Sequence, residues 1–144
     1  MLYIDTSVLL VYTLTQGVER HRSRATIAFF AQISEGSLVG ATSFYALHEV
    51  YVFALDNAPD FTTGALFGRE ALRSVLSLPL QILPLLSRTE RRRYASTFAA
   101  LRDSSDVPHA VVATVYGCEA IVAYDNHFRA TTRILPYRSP EDFA

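Results

Sequence analysis

The alternation of short apolar segments with longer helical segments constrains the fold of this chain most strongly. Strands are predicted at residues 2–4, 38–41, 81–83 and 120–124, with a fifth at 132–135. Helices are predicted between them at residues 7–15, 19–35, 43–55, 62–77, 87–101 and 106–117. This pattern is typical of an α/β fold with a largely parallel sheet. We therefore expect one domain over residues 1–144, a three-layer α/β/α arrangement around a central sheet of four to five strands.

Composition limits the class of protein further. Hydrophobic residues make up 50% of the chain and charged residues 19%, which suits a packed core. No apolar run approaches the roughly 18 residues of a membrane span. The apolar N-terminal segment carries Asp5 and has no basic residue before Arg20, unlike a signal peptide. A single cysteine, Cys118, cannot form an internal disulfide, and we expect a cytoplasmic protein without a membrane partner.

The basic residues are all of one type. The 13 basic and 14 acidic side chains give a net charge of −1, and every basic residue is an arginine. Because the chain has no lysine, it cannot use the phosphate-binding lysine of a P-loop or of a receiver domain. An acid-rich phosphatase is also disfavoured, because Ser7 stands where a second aspartate would follow Asp5 by two residues.

Three aspartates are predicted at one edge of the sheet. Asp5 and Asp125 follow predicted strands, and Asp106 begins the helix that leads into the fourth strand. In open parallel sheets, the carboxyl ends of the strands form the ligand-binding edge. Each aspartate also has a purely structural interpretation, since Asp5 and Asp106 could cap helices and Asp125 could form a turn.

Glu49 is the fourth candidate, and it lies in a predicted helix that is apolar on nearly every side. A buried carboxylate needs a cation or a strong hydrogen-bond donor nearby. The structural alternatives are a narrow polar stripe shared with His48, or an ion pair with a core arginine. Four carboxylates in one cleft repel one another unless a divalent ion is present, and oxygen ligands favour Mg²⁺ or Mn²⁺. We therefore expect Glu49→Gln to stabilise the metal-free protein.

The ordered set of motifs resembles the PIN domain, in particular the VapC-type toxins of toxin–antitoxin operons. The segments that carry the resemblance are Tyr3–Leu9, Thr42–Glu49, Asp106–Gly117 and Ile121–Phe128. The step of 19 residues from Asp106 to Asp125 is similar to the family spacing. The chain departs from the family at Ala123, where a threonine or serine usually precedes the last acid by two residues. Asp103 is a second candidate for the role of Asp106.

The resemblance implies a ribonuclease that hydrolyses RNA phosphodiester bonds with Mg²⁺ or Mn²⁺. Asp5 and Asp106 would be the principal metal ligands, and Glu49 and Asp125 would complete the shell. It also implies a protein antitoxin as partner and a homodimer. The alternative is a PIN-fold interaction protein with weak or no activity, which the missing hydroxyl at Ala123 favours.

Several polar and aromatic residues are candidate contacts for RNA or for partners. The candidate phosphate contacts are arginines, and two histidines could contact substrate: Arg91, Arg92, Arg93, Arg129, Arg133, His109 and His127. The aromatic side chains expected to face a partner are Tyr12, Tyr45, Tyr51 and Phe53. The arginine triplet could equally be an ordinary solvated helix face, and a lone histidine is more often structural.

Overall fold

Five parallel strands form the sheet of the protein. The computed structural model describes residues 1–144. The strands are β1 (Leu2–Ile4), β2 (Gly40–Ser43), β3 (Gln81–Leu83), β4 (Ala120–Val122) and β5 (Tyr137–Arg138). Their order across the sheet is β3-β2-β1-β4-β5, so β1 is central and β3 and β5 form the edges. Every neighbouring pair is parallel.

Helices connect the strands. They are α1 (Thr6–Thr13), α2 (Arg20–Ser34), α3 (Phe44–Asn57), α4 (Phe61–Leu76), α5 (Arg88–Tyr94) and α6 (Asp106–Val115). Two 3₁₀ helices follow at Asn126–Thr131 and Pro140–Phe143. None of the helices combines the length and the apolar character that crossing a bilayer requires.

Short polar side chains set the beginnings of several helices. Asp5, Ser43 and Asp60 each accept a hydrogen bond from a backbone N–H in the first turn of the helix that follows. Ser87 and Glu90 form a reciprocal capping box at the start of α5. These bonds satisfy backbone donors that have no partner inside the helix. The cap residues predicted from the sequence at Asp5 and Ser43 thus begin α1 and α3.

Two apolar cores lie on opposite faces of the sheet. On one face, residues of β1 pack with α1, α2, α3 and α4, represented by Val8, Phe29, Val50 and Val75. On the other face, Tyr3 packs with α6 and with the chain around Phe98. The crossover from β3 to β4 therefore runs on the face opposite to the crossovers from β1 to β3. This arrangement confirms the predicted three-layer α/β/α fold with a parallel sheet.

The fifth strand was predicted at the wrong place. Residues Thr132–Leu135 form turns, in which the N–H groups of Ile134 and Leu135 both donate to the carbonyl of Thr131. The strand is instead Tyr137–Arg138, a short edge strand without apolar alternation. The β-branched residues Thr132 and Ile134, which suggested a strand, lie in these turns. Leu135 is buried in the core beside α6.

Other predicted boundaries also moved, and strand β4, for example, ends at Val122 rather than at Tyr124. The helix expected over residues 87–101 ends at Tyr94, and the chain then turns to bury Phe98 and Leu101. Strand β2 extends to Ser43 rather than ending at Ala41. The polar residues Thr42 and Ser43 are fully buried there, and both side chains are hydrogen-bonded. Thr42 donates to the carbonyl of Ile4, and the Ser43 hydroxyl bonds the hydroxyl of Tyr3.

Helices α3 and α4 approach each other through glycine. A Cβ atom added at Gly64 would lie 2.9 Å from the Cα of Leu55 and 3.1 Å from the carbonyl oxygen of Ala54. Both neighbours are backbone atoms of α3, which cannot move aside as the end of a flexible side chain can. The packing of α4 therefore fixes α3, and with it the helix that carries Glu49.

We expect Gly64→Ala to lower stability by about 1–3 kcal/mol, because the two helices must separate to admit the methyl group. The substitution improves helix propensity by about 1 kcal/mol, so a loss identifies the steric effect. Urea unfolding provides the measurement. Gly17→Ala is the matched control, since no atom lies within 4 Å of its added Cβ. Unchanged or increased stability of Gly64→Ala would contradict the close packing.

Candidate metal centre

The strand order creates a crevice at the carboxyl end of β1. From β1 the chain builds β2 and β3 on one side of the sheet, and β4 and β5 on the other. Ligands bind in open parallel sheets where the order reverses in this way. Asp5 directly follows β1, and Asp125 follows β4 after two residues. The two aspartates therefore end the two strands that flank the crevice.

Asp5 is buried and held from one side. Its Oδ2 accepts hydrogen bonds from the backbone N–H of Ser7 at 2.9 Å and from the Ser7 hydroxyl at 2.6 Å. The same hydroxyl accepts a bond from the backbone N–H of Tyr124 at 2.9 Å, which ties α1 to the end of β4. Burial raises the pKa of Asp5 above its ordinary value, although the charge of His109 and the bonds from Ser7 oppose the shift.

Glu49 projects from α3 toward the same crevice and is only half-buried, with 37% of its side chain exposed. Its Oε2 accepts from the hydroxyl of Thr6 at 2.5 Å, and its Oε1 lies 3.0 Å from Nε2 of His109. Burial alone would raise the pKa of Glu49, but the bond and charge of His109 and the bond from Thr6 outweigh it, so the pKa is lowered. Its partner is thus a histidine, not the core arginine considered above.

His109 lies between the first two acids. Its ring is 1% exposed, and Nδ1 is 3.9 Å from Oδ1 of Asp5. Nδ1 is also 2.7 Å from the hydroxyl of Tyr3. Burial lowers the pKa of His109, but the bond to Glu49 and the charges of Asp5 and Asp106 overcome that effect, and the net shift is upward.

A second histidine joins the other two acids. Nδ1 of His127 lies 3.1 Å from Oδ2 of Asp106 and 3.2 Å from Oδ1 of Asp125. Asp106 is buried at the start of α6, and burial is the largest cause that raises its pKa from 3.8 to about 6. The bond from His127 opposes that rise, while the charges of Asp125, Asp103 and Asp5 add to it.

The fold thus arranges the four predicted acids as two pairs. His109 contacts Asp5 and Glu49, and His127 contacts Asp106 and Asp125. The pairs are close enough that the charge of Asp5 raises the pKa of Asp106. Two of the acids also have the structural roles that the sequence suggested. Asp5 caps α1, and Asp125 caps the 3₁₀ helix by accepting from the backbone N–H of His127 at 2.9 Å.

Asp103 belongs to the same region. One ligand atom each from Asp103, Asp106 and His127 lie within 4.8 Å of one another. Asp103 is exposed, and its Oδ1 accepts from the backbone N–H and the hydroxyl of Ser105. These residues offer a mixed oxygen and nitrogen ligand set at the outer side of the crevice. Asp103 is therefore a neighbour of Asp106 in the structure.

The two buried acids favour a divalent cation, although the only three ligand atoms within 4.8 Å of one another belong to Asp103, Asp106 and His127. Asp5 and Asp106 are buried carboxylates whose pKa values are raised, so bringing their negative charges into the crevice without a cation is unfavourable. Carboxylate oxygens are the ligands that Mg²⁺ and Mn²⁺ prefer. A cation bound between the two pairs of acids would remove the cost that burial imposes on Asp5 and Asp106.

Several site residues were undervalued in the sequence. Tyr3, Thr6 and Ser7 belong to the segment that resembles the family, but the sequence does not predict their hydrogen bonds, and it predicts no role for Arg102. The structure places Arg102 beside Asn126 and His127 in a shallow depression next to the acids. His109 and His127 are predicted from the sequence as substrate contacts, whereas in the structure they hydrogen-bond the carboxylates.

Asp106 predicts a characteristic pH dependence. Because its pKa of about 6 in the folded protein exceeds the ordinary 3.8, the folded protein binds more protons than the unfolded chain between these pH values. The protonated form of Asp106 is the one that the fold favours. The corresponding stability is fully present below about pH 4 and is lost as pH rises through about 6. In chelator, Asp106→Asn should therefore be more stable than wild type at pH 7.5, and this gain should shrink toward pH 4.

Urea unfolding across this pH range provides the measurement. Asp56→Asn, at an exposed position on α3, is the matched control and should follow wild type at every pH. An Asp106→Asn curve that stays parallel to the wild-type curve would disprove the assignment of the titration to Asp106.

For Glu49 the structure reverses the effect expected from repulsion alone. Its lowered pKa means that the ionised form stabilises the fold above the ordinary pKa of 4.5, and this stabilisation is lost as the carboxylate protonates. Glu49→Gln should therefore lower stability in chelator at pH 7 by about 1–2 kcal/mol, because it removes hydrogen bonds to a charged group.

The control is Glu70→Gln, which removes an exposed ion pair with Arg73 at 3.3 Å. That change should stay within about 0.5 kcal/mol of wild type. Thermal or urea unfolding distinguishes the two variants. A Glu49→Gln protein more stable than wild type would restore the original expectation that repulsion dominates.

Comparison with known proteins agrees with this architecture. The sequence profile of the PIN domain matches residues 2–134. Among solved structures, the sarcin–ricin loop cleaving toxin VapC20 of Mycobacterium tuberculosis superposes with a TM-score of 0.66 at 16% identity, covering 90% of this chain and 94% of VapC20. VapBC2 of Rickettsia felis, bound to a DNA fragment from its promoter, gives a TM-score of 0.67 at 14% identity, covering 96% of this chain and 98% of the matched chain.

Comparison with curated protein sequences gave no match. The two structural relatives establish the fold, and the profile spans nearly the whole chain, including all four predicted acids. The chain therefore belongs to the PIN domain family.

Proposed function

We propose that this protein is a ribonuclease that hydrolyses RNA phosphodiester bonds with Mg²⁺ or Mn²⁺. The observation that carries the proposal is the convergence of two histidine-linked carboxylate pairs on one crevice of a PIN domain. The raised pKa values of Asp5 and Asp106 support a cation there, because desolvated carboxylates need a positive charge nearby.

Asp5 and Asp106 would be the principal ligands, with Glu49 and Asp125 completing the shell directly or through water. A bound divalent ion supplies Lewis-acid stabilisation of the phosphate and a more acidic water. Asp5 is oriented by Ser7, and Asp125 by the backbone of His127, so these carboxylates are held before substrate arrives. Glu49 or Asp125 would help to take the proton from the attacking water. Neither lysine nor a histidine base is needed.

Arginines supply the contacts to RNA in this proposal. With the four site acids set aside, 13 basic side chains remain against 10 acidic ones, a net charge of +3. Arg102 lies in the depression beside His127, and the exposed triplet Arg91–Arg93 lies on α5. Arg129 lies over the ring of Tyr137, with Cζ 5.6 Å from the centroid. Guanidinium groups bind phosphate oxygens in pairs, which suits an RNA backbone.

The biological setting that we propose is a cytoplasmic toxin–antitoxin pair. The similarity to VapC20 and VapBC2 supports it at the level of fold. The apolar surface of the helices also supports a protein antitoxin and a homodimer. Phe44, Phe67 and Leu76 are all more than half exposed on α3 and α4, whereas the partly buried ring of Tyr12 packs against Phe30 with 4.6 Å between the ring centroids.

The second candidate function is an interaction protein without activity. It rests on Ala123, which is fully buried and lacks the hydroxyl found in the family. The contacts of Asp125 speak against it, because the backbone and ring of His127 orient that carboxylate instead. The two candidates differ in RNA cleavage.

We expect RNA to be cleaved in the presence of Mn²⁺ or Mg²⁺, and cleavage to stop when the ion is chelated. Asp5→Asn and Asp106→Asn should each reduce the cleavage rate at least about a hundredfold, since each removes charge that stabilises the transition state. The same ions should raise the melting temperature of wild type by mass action, and Asp5→Asn should remove most of that rise. Gel-resolved cleavage and thermal unfolding are the measurements.

Asp56→Asn is the matched control, because Asp56 is an exposed carboxylate on α3 without a contact to any of the four acids. It should retain both cleavage and the metal-dependent rise in melting temperature. Wild-type protein that binds Mn²⁺ but leaves RNA intact would favour the interaction protein. Equal cleavage by wild type and Asp5→Asn would reject the site.

A further inference from the structure

His109 has a set of contacts that the ligand assignment does not explain. It lies on α6 one turn after Asp106, is 1% exposed, and is not one of the four acids. A buried imidazole normally satisfies both ring nitrogens. Both nitrogens of His109 point to residues of other elements, Nε2 to Glu49 of α3 and Nδ1 to Tyr3 of β1.

The chemistry of the partners fixes the direction of the first bond. An ionised carboxylate can only accept, so Nε2 of His109 carries a hydrogen and donates to Oε1 of Glu49 at 3.0 Å. This holds for the neutral ring with its hydrogen on Nε2 and for the imidazolium alike. The bond therefore does not depend on whether His109 is charged.

Tyr3 holds the other side of the ring. Its hydroxyl lies 2.7 Å from Nδ1 of His109 and 2.6 Å from Oγ of Ser43, at the end of β2. Tyr3 is fully buried in the central strand, so its hydroxyl has little freedom to move. The ring of His109 is consequently fixed from β1, and the series Ser43, Tyr3, His109, Glu49 links the sheet to α3.

The series matters because Glu49 is the most exposed of the four acids. Its side chain is 37% exposed, whereas Asp5 and Asp106 are buried. His109 fixes Oε1, and Thr6 fixes Oε2. Each carboxylate oxygen keeps a second lone pair for a cation. Hydrogen-bonded partners of this kind orient metal ligands.

We propose that His109 is a positioning residue that directs the carboxylate of Glu49 toward the cation, and that Tyr3 holds its ring in place. The inference rests on the proposed metal-dependent function. His109 itself contacts neither the cation nor the RNA in this role.

The test compares His109→Leu with His109→Gln by calorimetric titration of Mn²⁺. Leucine fills the space without a donor, while the amide N–H of glutamine can replace Nε2–H. We expect His109→Leu to weaken Mn²⁺ binding about tenfold or more, the loss typical of a removed partner of a metal ligand, and His109→Gln to recover much of the affinity. Equal affinity of wild type and His109→Leu would overturn the proposal.

A double-mutant cycle separates positioning from a general effect on folding. In a Glu49→Gln background, His109→Leu should change Mn²⁺ affinity no further, because no Glu49 carboxylate remains to be directed. A tenfold effect that persists in that background would overturn the proposal. Tyr3→Phe should weaken Mn²⁺ binding too. Thr26→Val, which removes a buried hydroxyl bonded to Tyr124, is its matched control and should bind like wild type.

A measurement without metal distinguishes failure of the inference from failure of the proposed function. In chelator, nitrogen–proton correlation spectra of wild type should show His109 with a slowly exchanging hydrogen on Nε2, and Tyr3→Phe should shift its Nδ1 signal. A ring with its hydrogen on Nδ1 alone would overturn the positioning role. Wild-type protein with the expected spectrum that binds no Mn²⁺ would instead overturn both the metal-dependent function and the cation as the target of Glu49.

Discussion

Hydrogen bonding of β1 to strands on both sides is the constraint on which the site depends. Leu2 pairs with Gly40 of β2 and with Ala120 of β4, so a segment of three residues holds the two halves of the sheet together. Because all strands are parallel, the residues that follow them emerge at one edge. The position of Asp5 is therefore set by the backbone, and the other acids are brought to it by crossovers on opposite faces.

The crevice concentrates negative charge, and the two histidines moderate it differently. His109 is buried and takes part in a network anchored in the sheet, whereas the His127 side chain is 54% exposed and lies where the 3₁₀ helix begins. The pKa of Glu49 falls and that of Asp106 rises. The ionised form of Glu49 is thus stabilised by the protein alone, whereas ionised Asp106 carries an unfavourable charge. In the proposed function, a cation would relieve this cost at Asp5 and Asp106, the two carboxylates expected to bind it most directly.

Much of this could be predicted from the sequence because it follows from local patterns. Apolar segments ending in aspartate predicted the sheet edge, and one acid in an apolar helix indicated Glu49. The prediction that Glu49 is buried was only half right, because the direction of a helix face depends on packing against α4 and α6. The bond between Tyr3 and His109 joins residues 106 positions apart, and no periodicity reports such a contact. Tyr137 and Arg138 lack the apolar alternation of a strand, so β5 could be recognised only once β4 was present beside it.

The short edge strands have a further consequence for how this protein can associate. β3 has three residues, with Pro79 and Pro84 close to its two ends, and β5 has two. Proline offers no backbone N–H, and such short edges present little unpaired backbone to another chain. Growth of the sheet by addition of a foreign strand is therefore disfavoured on both sides. The partners proposed above would instead contact side chains on the helical layers, where selectivity comes from the shape of the apolar surface and not from a generic ladder of peptide groups.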